Sequence, residues 1–301
     1  MKEYGLGLCK AWWACLLLFA LLLPAAFAAP SPAIALSAEQ TSWLAQHKGQ
    51  TFTVGFDPYG GVDSFELRGK RYGFLYLLLS DLEKQTGLRL VPATSADWDE
   101  AYSNFIEGKI DVLYGANPTP EREKTMLFTP PAQRYPYVVL APKSSMVQTL
   151  SELDEKRLGV IANDFVTEAL PRVYPNIRFK PIVFADQNQA LAALTQGSID
   201  AFVTSGGGVE VEYLVGNPDL AVIAQIRSIT SDMTLAVLKK DAMLASILER
   251  YLGQSQENIK TMAREARQIY NRKALRLTDA ELDWLDHTNQ AVVGVAEDYL
   301  P

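Results

Sequence analysis

Two short stretches of this chain repeat one another, and the repetition restricts its possible folds more than any other feature. Residues 108–112 read Gly-Lys-Ile-Asp-Val and residues 197–201 read Gly-Ser-Ile-Asp-Ala, 89 positions apart (197 minus 108). Each follows a helix-like run that ends at the glycine, and each opens a short apolar strand. The repetition predicts two similarly built α/β lobes.

Strand-like and helix-like runs alternate around both repeats, which is typical of parallel α/β architecture. Strands are predicted at 52–56, 88–92, 110–114, 157–161, 182–184 and 199–204, and helices at 74–86, 98–107, 166–173 and 188–196. The apolar runs 137–141 and 233–239 are predicted to carry the chain between the lobes. Lobe one then contains about 36–138 and 229–275, lobe two contains about 139–228, and a ligand cleft lies between them.

The first 28 residues have the order of a secretory signal peptide. Lys2 and Lys10 precede an uncharged apolar run from Ala11 to Leu23, and the Ala-Phe-Ala at 26–28 matches the pattern of a cleavage site. The run is too short to span a bilayer comfortably, since spanning takes about 20 residues. We therefore predict cleavage after residue 28, a linker at 29–35 and a periplasmic product, with an uncleaved membrane anchor as the alternative.

Both cysteines, Cys9 and Cys15, lie inside that leader, so the mature chain carries no thiol. This excludes disulfides, cysteine metal sites and cysteine nucleophiles. Removing the leader, with Lys2, Glu3 and Lys10, changes the formal charge from −7 to −8 (−7 minus 1). An acidic chain is a poor match for nucleic acid or an anionic membrane surface. Zinc-ligand and phosphate-loop spacings are also missing from the sequence, so we expect no metal and no cofactor.

The stretch that begins at Gly108, GKIDVLYGANPTPEREKTMLFTPP, resembles the core signature of type 2 extracellular solute-binding proteins of the amino-acid-binding class. VGFDPY at 54–59, YGFLYLLLSDLEKQTG at 72–87 and LAALTQGSIDAF at 191–202 agree with it, so the resemblance covers about 36–275. It implies the two-lobed periplasmic-binding-protein type II fold, or Venus flytrap, with two crossover segments. It also implies a small carboxylate-bearing ligand, such as an amino acid, that is bound by hinge closure.

The resemblance also implies which residues meet the ligand. Arg122, in Thr-Pro-Glu-Arg, is expected to hold a ligand carboxylate, because a guanidinium can form two parallel hydrogen bonds with it. Asn117 and Thr119 on the same loop are expected to offer polar groups. Asp57 and Tyr59, after the first strand, are expected to supply an acidic group and an aromatic wall.

Lobe two departs from the family pattern at two places. Where amino-acid binders carry a carboxylate for the ligand ammonium, this chain has Ser205, followed by three glycines. The Gly-Thr-Thr type of turn is replaced by Ala-Asn-Asp-Phe at 162–165, which puts Asp164 at the start of a helix as a cap or a ligand contact. Asp111 and Asp200, in the two repeats, are expected to fix turns rather than bind ligand.

A second repetition involves the two ends of the sequence. Leu36-Ser-Ala-Glu-Gln-Thr-Ser-Trp-Leu44 is echoed by Leu277-Thr-Asp-Ala-Glu-Leu-Asp-Trp-Leu285, a shift of 241 residues (277 minus 36). The strand start at 54–55 is echoed, as Val-Gly, at 293–294. This predicts a solute-binding domain at 36–276 and the start of a second one at 277–301. The two tryptophans of the repeat, Trp43 and Trp284, are expected to be packing residues.

A Leu…Trp-Leu segment that precedes a second domain is similar to the arrangement in tandem flytrap sensors of sensor kinases and cyclic-di-GMP signalling proteins. We therefore expect this domain to be a sensor whose kinase or cyclase lies in a C-terminal part of the protein. Its partners would be the ligand and a second flytrap domain, with no nucleic acid and with membrane contact only through segments outside the mature region shown. A free binding subunit of an ABC importer is the alternative. An enzyme on this fold is less favoured, because His47 and His287 lie outside the expected cleft and no Ser-His-Asp set is visible.

Overall fold

A computed structural model describes residues 34–207 and 209–288. The leader at 1–28, most of the linker at 29–35 and the echo at 293–294 lie outside the described residues. The helices are α1 (Ala38–Gln46), α2 (Phe74–Thr86), α3 (Trp98–Ile106), α4 (Phe165–Val173), α5 (Gln187–Thr195), α6 (Val209–Gly216), α7 (Ala242–Gln254), α8 (Gln256–Ala274) and α9 (Asp279–His287). The strands are β1 (Thr51–Gly55), β2 (Phe65–Leu67), β3 (Lys70–Tyr72), β4 (Arg89–Pro92), β5 (Val112–Tyr114), β6 (Met126–Phe128), β7 (Gln133–Pro142), β8 (Arg157–Ile161), β9 (Lys180–Phe184), β10 (Ala201–Ser205), β11 (Leu220–Met233) and β12 (Leu235–Leu238).

Each strand and helix predicted from the repeats is present, with its bounds shifted by at most two residues. Lobe one is built on a five-stranded sheet of order β4-β1-β5-β12-β6, in which β1 is parallel to β4 and β5 and β12 is antiparallel to β5 and β6. Helix α2 buries Phe74, Leu75, Leu78 and Leu82, which recur every three or four residues and so lie on one face. That face packs with α7 and α8 in the lobe-one core.

Lobe two is built on a second five-stranded sheet, of order β11-β7-β10-β8-β9. The repeated aspartates have matching structural roles in the two sheets. Asp111 accepts hydrogen bonds from the backbone N–H of Thr53 at 2.7 Å and from its hydroxyl at 2.8 Å. Asp200 accepts from the backbone N–H of Arg157 at 2.8 Å. Each carboxylate therefore joins the turn before one strand to its parallel neighbour, as expected for structural residues.

The chain passes between the sheets at 129–132 and at Thr234. The second passage lies within the run 233–239 that the sequence predicts for it, whereas the first precedes the run 137–141, and the lobe boundaries predicted at 138/139 and 228/229 fall inside β7 and β11. The difference arises because β7 and β11 form one long antiparallel ladder that runs from the Leu220–Pro142 pair to the Met233–Gln133 pair. The first four of the ten residues of β7, Gln-Arg-Tyr-Pro at 133–136, do not form an apolar run, so an apolar-run criterion leaves them out. The ladder therefore extends lobe two by several residues at each passage.

Gly73 fixes the position of a short 3-10 turn, Gly61–Asp63, that reaches the cleft. Its φ is +138°, and a Cβ placed on it would lie 2.2 Å from the carbonyl oxygen of Asp63. Only glycine fits this close approach at the start of α2. Helix α2, which is anchored in the lobe-one core, therefore holds the turn and Asp63 in place.

Candidate ligand-binding cleft

A cavity of about 70 Å³ lies between the two sheets. Its lobe-one wall includes Asp57, Asp63 and Arg122, and its lobe-two wall includes Asp164 and Ser205. Strands β7 and β11 contribute Tyr137, Ser231 and Met233 at the base. The cavity thus brings together carboxyl groups from both lobes with one guanidinium.

Arg122 begins a short 3-10 turn and is 6% exposed. Its backbone N–H donates to the Thr119 hydroxyl at 3.2 Å, which makes Thr119 part of the turn beneath the arginine. The guanidinium donates to the Asn117 carbonyl at 2.9 Å and, across the cleft, to the Asn163 carbonyl at 2.8 Å. It also lies 5.1 Å from the centre of the Tyr102 ring. Arg122 is therefore a buried cation whose position is fixed from both lobes.

Asn163 brings lobe two into contact with lobe one. It lies between β8 and α4 with φ of +55°, a conformation that asparagine adopts more readily than most residues. Its carbonyl oxygen accepts from Arg122 and also from the indole N–H of Trp98 at 3.2 Å. Its side-chain amide donates to Asp99 at the start of α3. We call these contacts, which join the two lobes across the cleft, the Asn163 lock.

Among the described residues, three carboxyl groups line the cavity, and burial raises the pKa of each. The pKa of Asp57 rises to about 6, with nearby carboxylates including Asp164 adding to the effect. Burial raises the pKa of Asp164 as well, although the Tyr137 hydroxyl donates to it at 2.7 Å and the Val166 N–H at 3.0 Å. Asp63, which is 4% exposed, has its pKa raised to about 7. A positively charged group of a ligand would therefore interact favourably with these carboxylates.

The other residues expected from the sequence lie at different depths. Asn117 lines the cavity, but its amide donates to the Thr230 carbonyl at 2.8 Å and accepts from the Asp232 N–H at 3.1 Å. Ser205 ends β10 at the cavity wall. Tyr59 is 41% exposed and lines a neighbouring cavity of about 360 Å³, outside the one that holds Arg122.

Several residues at the cleft were not singled out in the sequence. Asp63 accepts from the hydroxyls of Tyr114 at 2.7 Å and Tyr135 at 3.2 Å. The Gln187 amide, in lobe two, donates to Asp57 at 3.2 Å. Trp98 reaches the cleft from the start of α3. No local motif marks these residues, because the hinge and the fold bring together positions far apart in the chain.

The described residues, 34–207 and 209–288, contain no group of three or more histidine or acidic side chains that could hold a metal ion. In the same ranges no helix is long and apolar enough to cross a membrane. The cleft itself presents fixed charges and hydrogen-bond donors, which suit recognition of a small polar molecule.

Comparison with known proteins gives the family. The model of bacterial extracellular solute-binding proteins, family 3, matches residues 53–258, more than half of the chain. The chain belongs to this family. The extracellular setting of solute-binding family 3 confirms the periplasmic location that the leader predicts.

This family 3 domain is 24% identical over 224 residues to a probable histidine-binding protein of Neisseria gonorrhoeae, covering 71% of this chain and 81% of that protein. It is similar to the periplasmic VFT2 domain of BvgS from Bordetella pertussis, at 19% identity and a TM-score of 0.65, covering 77% of this chain and 99% of that one. It is also similar to the L-arginine-bound substrate-binding protein AbpA of Streptococcus pneumoniae, at 17% identity and a TM-score of 0.64, covering 76% and 98%. These likenesses confirm the type II periplasmic-binding-protein fold.

Proposed function

We propose that this domain binds a small amino acid or amino-acid-like molecule in the closed cleft and serves as the sensor of a signal-transduction protein. The observation that carries the binding role is a buried arginine, Arg122, in one cavity with Asp57 and Asp164 from opposite lobes. Arg122 has N–H groups beyond the two donated to protein carbonyls and can grip a carboxylate. The two aspartates can accept from an ammonium group.

The closed cavity sets a limit on ligand size. A water molecule needs roughly 10–15 Å³ of this kind of volume. A cavity of about 70 Å³ therefore has room for more than one water-sized group. A short amino acid suits this space better than a long one such as arginine.

A thermal-shift screen of the full chain with single amino acids tests the binding role. A ligand should raise the melting temperature in a concentration-dependent way. Arg122→Ala should weaken binding of a carboxylate ligand by roughly 2–5 kcal/mol, because it removes the partner of a desolvated charge. Arg172→Ala, at an exposed position of α4, is the matched control. Equal affinity in wild type and Arg122→Ala would contradict the role of the arginine.

The sensor role is supported by the likeness between α1 and α9. Both helices contain nine residues and both begin with a capping box, at Ser37 and Thr278. The tryptophan follows its cap by six positions in each helix (43 minus 37 and 284 minus 278). The proposal is therefore that α9 opens a second flytrap domain, at 277–301 and beyond.

The two tryptophans support the same proposal through their surroundings. Trp43 stacks on His47, with ring centres 3.8 Å apart, and packs against the lobe-one core. Trp284 is 56% exposed among the described residues, unlike the packed residue expected from the sequence. A second lobe-one core would give Trp284 the packing that Trp43 has.

Mass spectrometry of the protein from membranes of its native host tests the sensor role. The expected product is longer than 301 residues and carries a second flytrap domain, a membrane helix and a cytoplasmic kinase or cyclase. A soluble periplasmic product that ends near residue 301 would contradict the sensor role. It would favour the second candidate, a free subunit of an amino-acid importer, as for the ABC transporter protein AbpA.

A further inference from the structure

We propose that Asp63 is a recognition site for a positively charged amine of the ligand, so that the cleft selects small ligands with net positive charge. The inference rests on the proposed binding function and adds a ligand class to it. It concerns a residue outside the set expected from the sequence.

Asp63 lies at the cavity wall and is almost completely removed from solvent. It is the last residue of the 3-10 turn and is 4% exposed. Gly73 holds the backbone of this turn by close contact, so Asp63 cannot easily withdraw. A carboxyl group that is buried, fixed and in contact with a ligand cavity is available to an occupant of that cavity.

The partners of Asp63 stabilise its charge without neutralising it. The hydroxyls of Tyr114 and Tyr135 both donate to Oδ1, at 2.7 and 3.2 Å. No lysine or arginine of the described ranges 34–207 and 209–288 has a nitrogen within 4.0 Å of this carboxyl. Arg267 of α8 is near enough to lower the pKa of Asp63, whereas burial and the Asp57 charge raise it. A buried carboxylate without an ion-pair partner is costly, and a cationic ligand would remove that cost.

The balance of charge in the whole cavity points the same way. Among the described residues that line the cavity, Asp57, Asp63 and Asp164 supply three carboxyl groups and Arg122 is the one basic residue. A zwitterion with one carboxylate and one ammonium leaves this excess unchanged. A ligand with an additional amine, such as a short diamino acid, reduces it.

The test compares two probes that differ by one charge, L-2,4-diaminobutyrate and its uncharged analogue L-norvaline. Calorimetry on the full chain at pH 7.5 should show preference for the diamino acid by about 10- to 150-fold, the range expected for a hydrogen bond to a charged group. Asp63→Asn keeps an oxygen for the two tyrosine hydroxyls but removes the charge. This variant should lose most of the preference while norvaline affinity changes little.

Asp81→Asn is the matched control, because Asp81 also accepts from a tyrosine hydroxyl, that of Tyr251 at 2.8 Å, but lies away from the cleft. It should leave the preference unchanged. Circular dichroism reports whether each variant is folded. If Asp63→Asn does not fold, Tyr114→Phe provides a second variant, which should reduce the preference severalfold by removing one donor from the ionised carboxylate.

Each outcome bears on the inference separately from the proposed function. Equal affinity for both probes in wild type, or an unchanged preference in Asp63→Asn, overturns the Asp63 role and leaves amino-acid binding intact. If Arg122→Ala binds both probes as tightly as wild type while Asp63→Asn loses the preference for the diamino acid, the Asp63 role is supported and carboxylate recognition at Arg122 is contradicted. Binding of neither probe overturns both proposals.

Discussion

The hydrogen bond between Arg122 and Asn163 is expected to hold the lobes together without ligand, and Arg122→Ala measures its contribution. The guanidinium of this buried arginine lies 2.8 Å from the Asn163 carbonyl oxygen. A hydrogen bond to a charged donor contributes about 1.5–3 kcal/mol. The bond to Asn117 stays within lobe one, so only the Asn163 bond favours closure. The ratio of open to closed forms should therefore rise by about 10- to 150-fold.

The second donor of the Asn163 lock gives a weaker variant for comparison. Trp98 donates to the same carbonyl at 3.2 Å, and a neutral hydrogen bond contributes about 0.5–1.5 kcal/mol. Trp98→Phe should therefore raise the open fraction by about 2- to 12-fold, less than Arg122→Ala. Arg172→Ala, at an exposed position of lobe two, should leave it unchanged.

Distances between spin labels on the two lobes report the open fraction. The chain's two cysteines, Cys9 and Cys15, lie in the predicted leader, so the chain without the leader allows selective labelling at Lys84→Cys of α2 and Glu168→Cys of α4, both exposed. A longer-distance population should grow in the order wild type, Trp98→Phe, Arg122→Ala. If the distance distributions of wild type and Arg122→Ala superimpose, the Asn163 lock does not hold the cleft closed.

Three further changes have expected outcomes. Lys273→Met removes the ion pair between the end of α8 and Glu212 of lobe two. The longer-distance population between the two spin labels should then rise severalfold, and an unchanged population would contradict a role of this ion pair in closure. Gly73→Ala should lower the free energy of unfolding, measured by urea titration, by about 3 kcal/mol or more. Gly87→Ala, where an added Cβ would have no atom within 4 Å, should lower it by about 1 kcal/mol. Equal losses in the two variants would contradict the close contact at Gly73. The pKa of Asp63 is raised from 3.8 to about 7, so the folded state gains stability that is fully present below pH 3.8 and is lost as pH rises through 7. Asp63→Asn should therefore reduce the change of the unfolding free energy with pH by up to ~4 kcal/mol. An unchanged pH profile would contradict the raised pKa.

Much of the fold could be predicted from the sequence because local signals agree with it. The run Phe74–Thr86 has helical spacing and ends at Gly87, whose φ is +74°, and the helix has those bounds. The repeated Gly-x-Ile-Asp segments identify a strand at the same place in each lobe. The length of β7 could not be predicted, because its first four residues are held by pairing with β11 rather than by an apolar pattern.

The candidate site was predictable only where a motif carries it. Arg122 and Asp164 lie in segments that can be aligned with the family pattern, and both line the cavity. Asp63 gave no signal, because its environment is made by Tyr114 and Tyr135, which are 51 and 72 positions away in the chain. Tyr59 was placed by the same pattern, but the turn that contains it directs it to the neighbouring cavity.

Closure of this cleft uses protein groups that also face a ligand. The Asn163 carbonyl occupies a donor of Arg122, and Gln187 of lobe two donates to Asp57. A ligand carboxylate that binds the remaining N–H groups of Arg122 leaves the Asn163 contact in place, whereas one that takes the Asn163 donor removes a contact between the lobes. A ligand can shift the lobes only by its differential affinity for the two forms. A ligand that removes a contact between the lobes therefore keeps the cleft closed only if it makes new contacts to lobe two, for which Asp164 and Ser205 are the polar groups at hand.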